Sequence, residues 1–193
     1  MKSEKRTQKI LTVLSRRQPD LTIVIENIHD PHNVSAMLRS ADAVGIHEVQ
    51  LVYTKEKFPK VGKKSSSSAN KWVERRKFDS IRECYDRLRG EGFLVYATRL
   101  DEGARSLYSL DLTGKIAFVF GNEHAGVSDE AALLADATVM IPMMGMIQSL
   151  NVSVACAVTL YEALRQRMNE KNYGTPKFGQ EALNRLSVEW LKK

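Results

Sequence analysis

Residues 141–153, Ile-Pro-Met-Met-Gly-Met-Ile-Gln-Ser-Leu-Asn-Val-Ser, hold in one stretch the parts of a small-molecule site. The apolar run 137–141 reads as a strand stopped by Pro142. Gly145 marks a loop, and Ser149 can cap a long apolar helix from about 149 to 168. Strand, loop and helix start are the geometry of a ligand pocket in an open α/β sheet. Gln148, Ser149 and Asn151 are polar where a core would take aliphatic side chains, so they are expected to meet a polar ligand. Two more polar loops follow strand-like runs. Asn27, His32 and Asn33 lie after 21–25; Asn122, Glu123 and His124 lie after 115–120. In a parallel sheet all three loops would emerge at the carboxyl edge of the strands. The sequence has no nucleophile elbow, P-loop or GxGxxG, which argues against the common dinucleotide folds. No His/Cys/Asp set has zinc spacing, so no metal is expected. His29, His32 and His124 are possible acid–base groups, but a surface position suits each of them better.

The elements that must position these loops alternate between strand and helix. Residues 4–17 read as a basic helix ending before Pro19, and 21–25 as a buried strand. Asn33 is the expected cap of a helix through Val44, stopped by Gly45. Strands follow at 47–53, 71–74, 93–98 and 115–120. Helices are expected at 80–88, capped by Ser80 or Asp79, and from Ser128. A separate amphipathic helix spans 178–191. The alternation predicts a mostly parallel sheet with helices on both faces. A basic N-terminal helical extension (1–18), one central domain (19–168) and a C-terminal helical extension (169–193) make up the chain. Residues 54–71 read as a long basic loop with Gly62 and four serines, of the kind that is more often functional than idle.

The chain of 193 residues carries 29 Lys/Arg against 23 Asp/Glu, a net +6. The charge is uneven. Residues 1–17 hold six Lys/Arg and one Glu, 55–77 nine and two, and 165–193 seven and three, which leaves the remainder at −10. Such separation suits a polyanion partner such as a nucleic acid, and Arg6, Arg16, Arg17, Lys64, Arg165 and Arg167 are the candidate contacts to it. No apolar run nears the ~20 residues of a membrane span. The N-terminus has basic residues but no apolar run after them, so no signal peptide is read. Cys84 and Cys156 lie in helical patterns and read as reduced, buried thiols, which suits a cytoplasmic protein.

Three segments then carry a specific resemblance. Residues 33–45 (Asn-Val-Ser-Ala-Met-Leu-Arg-Ser-Ala-Asp-Ala-Val-Gly), 120–128 (Phe-Gly-Asn-Glu-His-Ala-Gly-Val-Ser) and 141–153 resemble the first, second and third motifs of the SPOUT RNA 2′-O-ribose methyltransferases. They occur in family order, and the likeness covers roughly residues 18–165. Within that family the chain is most similar to the branch that methylates guanosine 18 of the tRNA D-loop. Residues 17–21, 71–73 and the short basic terminal helices carry that likeness. The resemblance implies a C-terminal deep trefoil knot, S-adenosyl-L-methionine bound bent within it, and a homodimer whose interface completes the active site. It implies catalytic roles for Arg39, Asn33, Glu123, Ser149 and Asn151, and cofactor contacts from Thr98, Gly121, Ile141, Met146 and Leu150. Arg39 would serve either as a base, after an RNA phosphate takes its proton, or as a charged bidentate clamp on phosphate. Methylation of ribosomal RNA or of another tRNA site is the alternative within the class. A non-catalytic RNA-binding protein that kept the knot is the alternative outside it.

Overall fold

A computed structural model describes residues 4–55, 57–59 and 69–193. Lys64, the 63–68 segment and Gly62, to which the sequence reading assigns a functional loop, lie outside the described residues. Seven strands form one sheet: β1 (Leu21–Glu26), β2 (Glu48–Val52), β3 (Glu74–Phe78), β4 (Leu94–Thr98), β5 (Arg105–Ser106), β6 (Ile116–Phe120) and β7 (Ala137–Met140). Their order is β3-β2-β1-β6-β4-β7-β5, and every pairing is parallel. Among the described residues six α-helices accompany them: α1 (Glu4–Ser15), α2 (Pro31–Ala43), α3 (Ile81–Gly90), α4 (Asp129–Leu134), α5 (Val152–Asn169) and α6 (Gln180–Lys192).

The central strands are apolar on both faces, as burial between two helical layers requires. Ile23 and Ile25 of β1 and Phe118 and Phe120 of β6 pack with Met37 and Leu38 of α2 and with Cys156 and Leu160 of α5. On the opposite face Val24, Val95, Ala97 and Val119 meet Cys84, Tyr85 and Leu88 of α3 and Ala131 of α4. A third cluster joins the termini: Ile10 and Leu14 of α1 against Leu186 and Trp190 of α6. Both cysteines are buried free thiols. Burial pushes the Cys84 thiol up to about 12, which keeps it protonated and unreactive.

Several boundaries differ from the sequence reading. The cap of α2 is Asp30, not Asn33: its carboxylate accepts from the His32 amide at 2.8 Å, and Pro31 opens the helix. Proline at the first helical position loses no hydrogen bond and presets φ, so the Asp-Pro pair fixes the start and leaves Asn33 inside the first turn. Likewise α5 starts at Val152 and is capped by Asn151, whose Oδ1 accepts from the amides of Ser153 (2.9 Å) and Val154 (3.4 Å); Ser149 stands outside the helix. The strand expected at 71–74 is displaced: a 3₁₀ turn occupies 69–71, and β3 begins only at Glu74. As an edge strand, Glu-Arg-Arg-Lys-Phe tolerates charge and shows no apolar alternation. Ser80, Ser128 and Gly45 act as expected; Gly45 has φ +86° and a Cβ there would stand 2.8 Å from the Arg16 carbonyl oxygen.

Two candidate RNA contacts are corrected outright. The side chains of Arg17 and Arg167 are 0% exposed. Arg17 donates to the Ile46 carbonyl (2.7 Å), Asp42 (2.6 Å) and the Trp72 carbonyl (3.2 Å). Arg167 donates to the Leu112 carbonyl (3.0 Å), Asp20 (2.7 Å) and Gln18 (3.1 Å). Interior charge persists only when paired and hydrogen-bonded. These two guanidiniums tie the terminal segments to the sheet and present no outer surface to a phosphate backbone.

Candidate active site

The loops after β1, β6 and β7 leave the carboxyl edge of the sheet, as does the end of β4. A cleft of about 410 Å³ opens there, within the size range of small-molecule sites. Thr98, Gly121, Ile141 and Leu150, four of the five residues expected to touch a cofactor, line it together with Glu123, Ser149 and Asn151. Met146 does not; it is 99% exposed. Arg99 and His124, outside the expected set, also line the cleft, and Arg99 is held by Asp129 at 2.7 Å.

One hydrogen-bonded chain joins the three loops. Glu123 Oε1 accepts from Asn33 Nδ2 (3.0 Å) and the Asp30 amide (3.0 Å), and Glu123 Oε2 accepts from the His29 amide (3.1 Å). Asn151 Nδ2 in turn donates to Asn33 Oδ1 (3.1 Å). An amide at position 33 is the one side chain of that size that donates to a carboxylate and accepts from a second amide at once. Burial alone would raise the Glu123 carboxyl, but the bonds from Asn33 and from backbone amides prevail and hold it below its usual value. It is therefore a carboxylate placed just ahead of the α2 N-terminus, where negative charge is stabilised.

Two asparagines outside the expected catalytic set fix the loops behind this chain. Asn27 sits in the left-handed region at φ +49°, a conformation that Asn tolerates. Its Oδ1 accepts from the amides of Thr54 (2.9 Å) and Lys55 (3.2 Å). Asn122 Nδ2 donates to the Asn27 carbonyl (2.9 Å), and its Oδ1 accepts from the amides of His124 and Ala125. An Asn placed directly after a strand was the available signal for both. Gly121 is demanded by the chain itself: a Cβ would lie 2.1 Å from the Gly126 carbonyl oxygen, where the loop returns on itself. Thr98 spends its hydroxyl on the Val119 carbonyl at 2.7 Å, so only its backbone and methyl are left for a ligand.

Arg39 lies on the exposed side of α2 and does not line the cleft. Arg6 and Arg16 are exposed. The Arg165 side chain is 62% exposed while bidentate on Glu162 at 2.8 and 2.9 Å. Among the described residues no group of three His, Cys, Asp or Glu is placed to hold a metal, and no helix is long and apolar enough to cross a membrane.

Residues 20–161 match the model of the SpoU rRNA Methylase family. The tRNA (guanosine(18)-2'-O)-methyltransferase of Thermus thermophilus is 46% identical over 192 residues, covering 100% of this chain and 98% of the relative. The crystal structure of the A. aeolicus TrmH/SpoU tRNA modifying enzyme superposes with a TM-score of 0.91 at 36% identity, covering 97% of this chain and 95% of that one. The SpoU methyltransferase AviRb from Streptomyces viridochromogenes, solved in complex with the cofactor AdoMet, superposes with a TM-score of 0.71 at 30% identity, over 80% of this chain and 60% of that one.

Proposed function

This chain belongs to the SpoU methylase family, and we propose that it transfers the methyl group of S-adenosylmethionine to the ribose 2′-hydroxyl of guanosine 18 in the tRNA D-loop. The observation that carries the reading is the chain Glu123–Asn33–Asn151, which ties all three motif loops together at the rim of one cleft. The cleft suits the donor: Val139, Ile141, Leu150 and Val152 offer apolar wall, and strand-end backbone supplies polar groups. When bound, S-adenosylmethionine supplies a methyl group on a positively charged sulfur.

The ribose oxygen must then approach in line with the breaking carbon–sulfur bond and lose its proton. Asn33 and Asn151 hold the ends of α2 and α5 in fixed register, and Ser149 stands at the cleft wall as a hydroxyl contact for the ribose. Glu123 anchors the β6 loop to α2. Arg39, exposed on the same helix two turns further on, is fitted to grip a phosphate bidentately and so place the ribose. The knotted C-terminal third belongs to the same proposal; its support is that β6 and β7 flank the earlier strand β4 before the chain turns into α5, packed on α2.

The working unit is a homodimer. Val154, Tyr161 and Met168 are exposed at seven-residue intervals along α5, and Met144, Met146 and Ile147 stand exposed beside the cleft. A stripe with that period is what a partner helix covers. The body of the enzyme is residues 19–168, flanked by the helical extensions 1–18 and 169–193; the first extension brings Arg6 and Arg16 to the RNA and α5 of the body brings Arg165, in the cytoplasm.

The test is methyl transfer from labelled S-adenosylmethionine to tRNA transcripts, followed by nuclease mapping and mass spectrometry. Label as 2′-O-methylguanosine in the D-loop fragment is expected. Label only in ribosomal RNA would move the assignment within the class, and label in no RNA would leave a binding protein.

A further inference from the structure

A second concavity, of about 340 Å³, opens between α1 and α6 and shares no residue with the cleft. Its walls include Ile10, Val13, Trp72 and Trp190, with Asp42 on one side and the exposed Lys9 at the rim. The indoles of Trp72 and Trp190 lie 4.9 Å apart at 51°. Among the described residues four buried side-chain polar atoms have no hydrogen-bond partner, and two of them, Trp190 Nε1 and Arg17 Nε, belong to residues lining this crevice. A buried donor without an acceptor is costly and rare in folded proteins. Two on residues of one crevice wall, enclosed just behind its surface, mark a place where an acceptor is wanted. Asp42 supplies the opposite polarity: its Oδ1 takes Arg17 Nη2, and its side chain is one-third exposed.

An aromatic wall, N–H donors, a carboxylate and a rim cation form a specific complement. A flat base can stack on the half-buried Trp72. Guanine alone among the four bases presents two adjacent N–H groups to a carboxylate together with O6 and N7 as acceptors. A lysine at the mouth suits the attached phosphate. We propose that this crevice takes one unstacked guanosine of the RNA substrate, so that the terminal helices read a base as well as backbone charge. Single-stranded loops are where RNA offers such a base. The inference rests on the RNA-methylating reading of the cleft, but concerns a separate surface.

The 193-residue chain has two tryptophans, so its indole N–H groups give two amide-correlation NMR signals, assignable with Trp72→Phe. Guanosine monophosphate should shift the Trp190 signal saturably, adenosine and uridine monophosphate should not, and Val13→Phe, which fills the crevice, should abolish the shift. In methyl transfer, Val13→Phe and Lys9→Glu should each raise the KM for tRNA about five-fold with kcat and S-adenosylmethionine affinity unchanged. An unmoved Trp190 signal together with an unchanged KM in folded Val13→Phe overturns the proposal. A saturable shift with an unchanged KM overturns the RNA assignment in favour of a free guanine nucleotide. If the wild type methylates no tRNA, the reading of the cleft fails, while the titration still judges the crevice.

Discussion

Replacing Asn33 by Asp keeps shape and volume but reverses one end of the hydrogen-bonded chain. The amide donor facing Glu123 Oε1 at 3.0 Å becomes a carboxylate oxygen, while the acceptor for Asn151 Nδ2 is retained. Two unit charges 3 Å apart repel by about 1.4 kcal/mol even at the dielectric constant of water. The lost bond to a charged acceptor adds about 1.5–3 kcal/mol. Because Glu123 is only partly buried, the low end of each range applies, and the variant should lose about 3 kcal/mol at pH 8. For a chain of this length that is a fall in Tm of roughly 6–12 °C.

The pH dependence gives the sharper signature. In the wild type the Glu123 carboxyl is held below its ordinary 4.5. Its contribution is complete above that value and is lost as pH falls through the lower folded value. In Asn33→Asp the facing carboxylates share a proton, so their folded value is raised. The folded state then binds protons more readily than the unfolded chain, and stability returns as pH falls from 8 towards 5. Thermal unfolding of wild type, Asn33→Asp and Asn33→Leu across pH 5–8 separates the cases: Asn33→Asp should recover most of its deficit at pH 5, and Asn33→Leu, which loses both bonds without adding charge, should not. A wild-type Tm for Asn33→Asp at pH 8, or a deficit that ignores pH, would refute the loop-tying role of this amide.

Arg39→Ala should reduce kcat by several orders of magnitude and leave S-adenosylmethionine affinity within a few-fold by calorimetry; near-normal turnover would remove Arg39 from the machinery. Gly121→Ala must push the backbone at Gly126 aside, so it should lose about 3 kcal/mol of stability and bind S-adenosylmethionine at least ten-fold more weakly, whereas normal binding would show that the loop return is not needed. Arg167→Ala removes the buried guanidinium from Asp20, which keeps only Lys177, and from the Leu112 carbonyl, and should cost about 3 kcal/mol in unfolding, while Arg165→Ala should leave Tm nearly unchanged and lower the salt slope of tRNA binding by about one. The reverse pattern would put Arg167 on the RNA and Arg165 in the framework.

The contrast between those two arginines shows what the sequence could carry. Charge counts along the chain found three basic segments, but they could not reveal that Arg17 and Arg167 meet Asp42 and Asp20, because such pairing depends on contacts 25 and 147 residues away. The apolar strands β1, β4 and β6 were legible because burial on both faces leaves continuous hydrophobic runs; β3 was not, because an edge strand need not be apolar. The helix starts at Ser80 and Ser128 follow local cap chemistry and were read correctly. At α2 the Asp-Pro pair was the stronger signal, and Asn33, read as the cap, lies inside the first turn. The polar residues of the three loops were visible as clusters, yet their order in space, with Asn33 between Glu123 and Asn151, arises only when β1 and β6 pair. Four expected cofactor contacts line the cleft because their strand ends are adjacent in the sheet, whereas Met146 lies on an exposed loop away from it.

The most direct test of the account is a crystal structure of the protein soaked with S-adenosylmethionine. Density for the donor within the cleft, against Thr98, Gly121, Ile141 and Leu150 with its methyl group towards the Arg39 side of α2, is the expected result. Density lodged at another surface, or none at saturating donor, would contradict it.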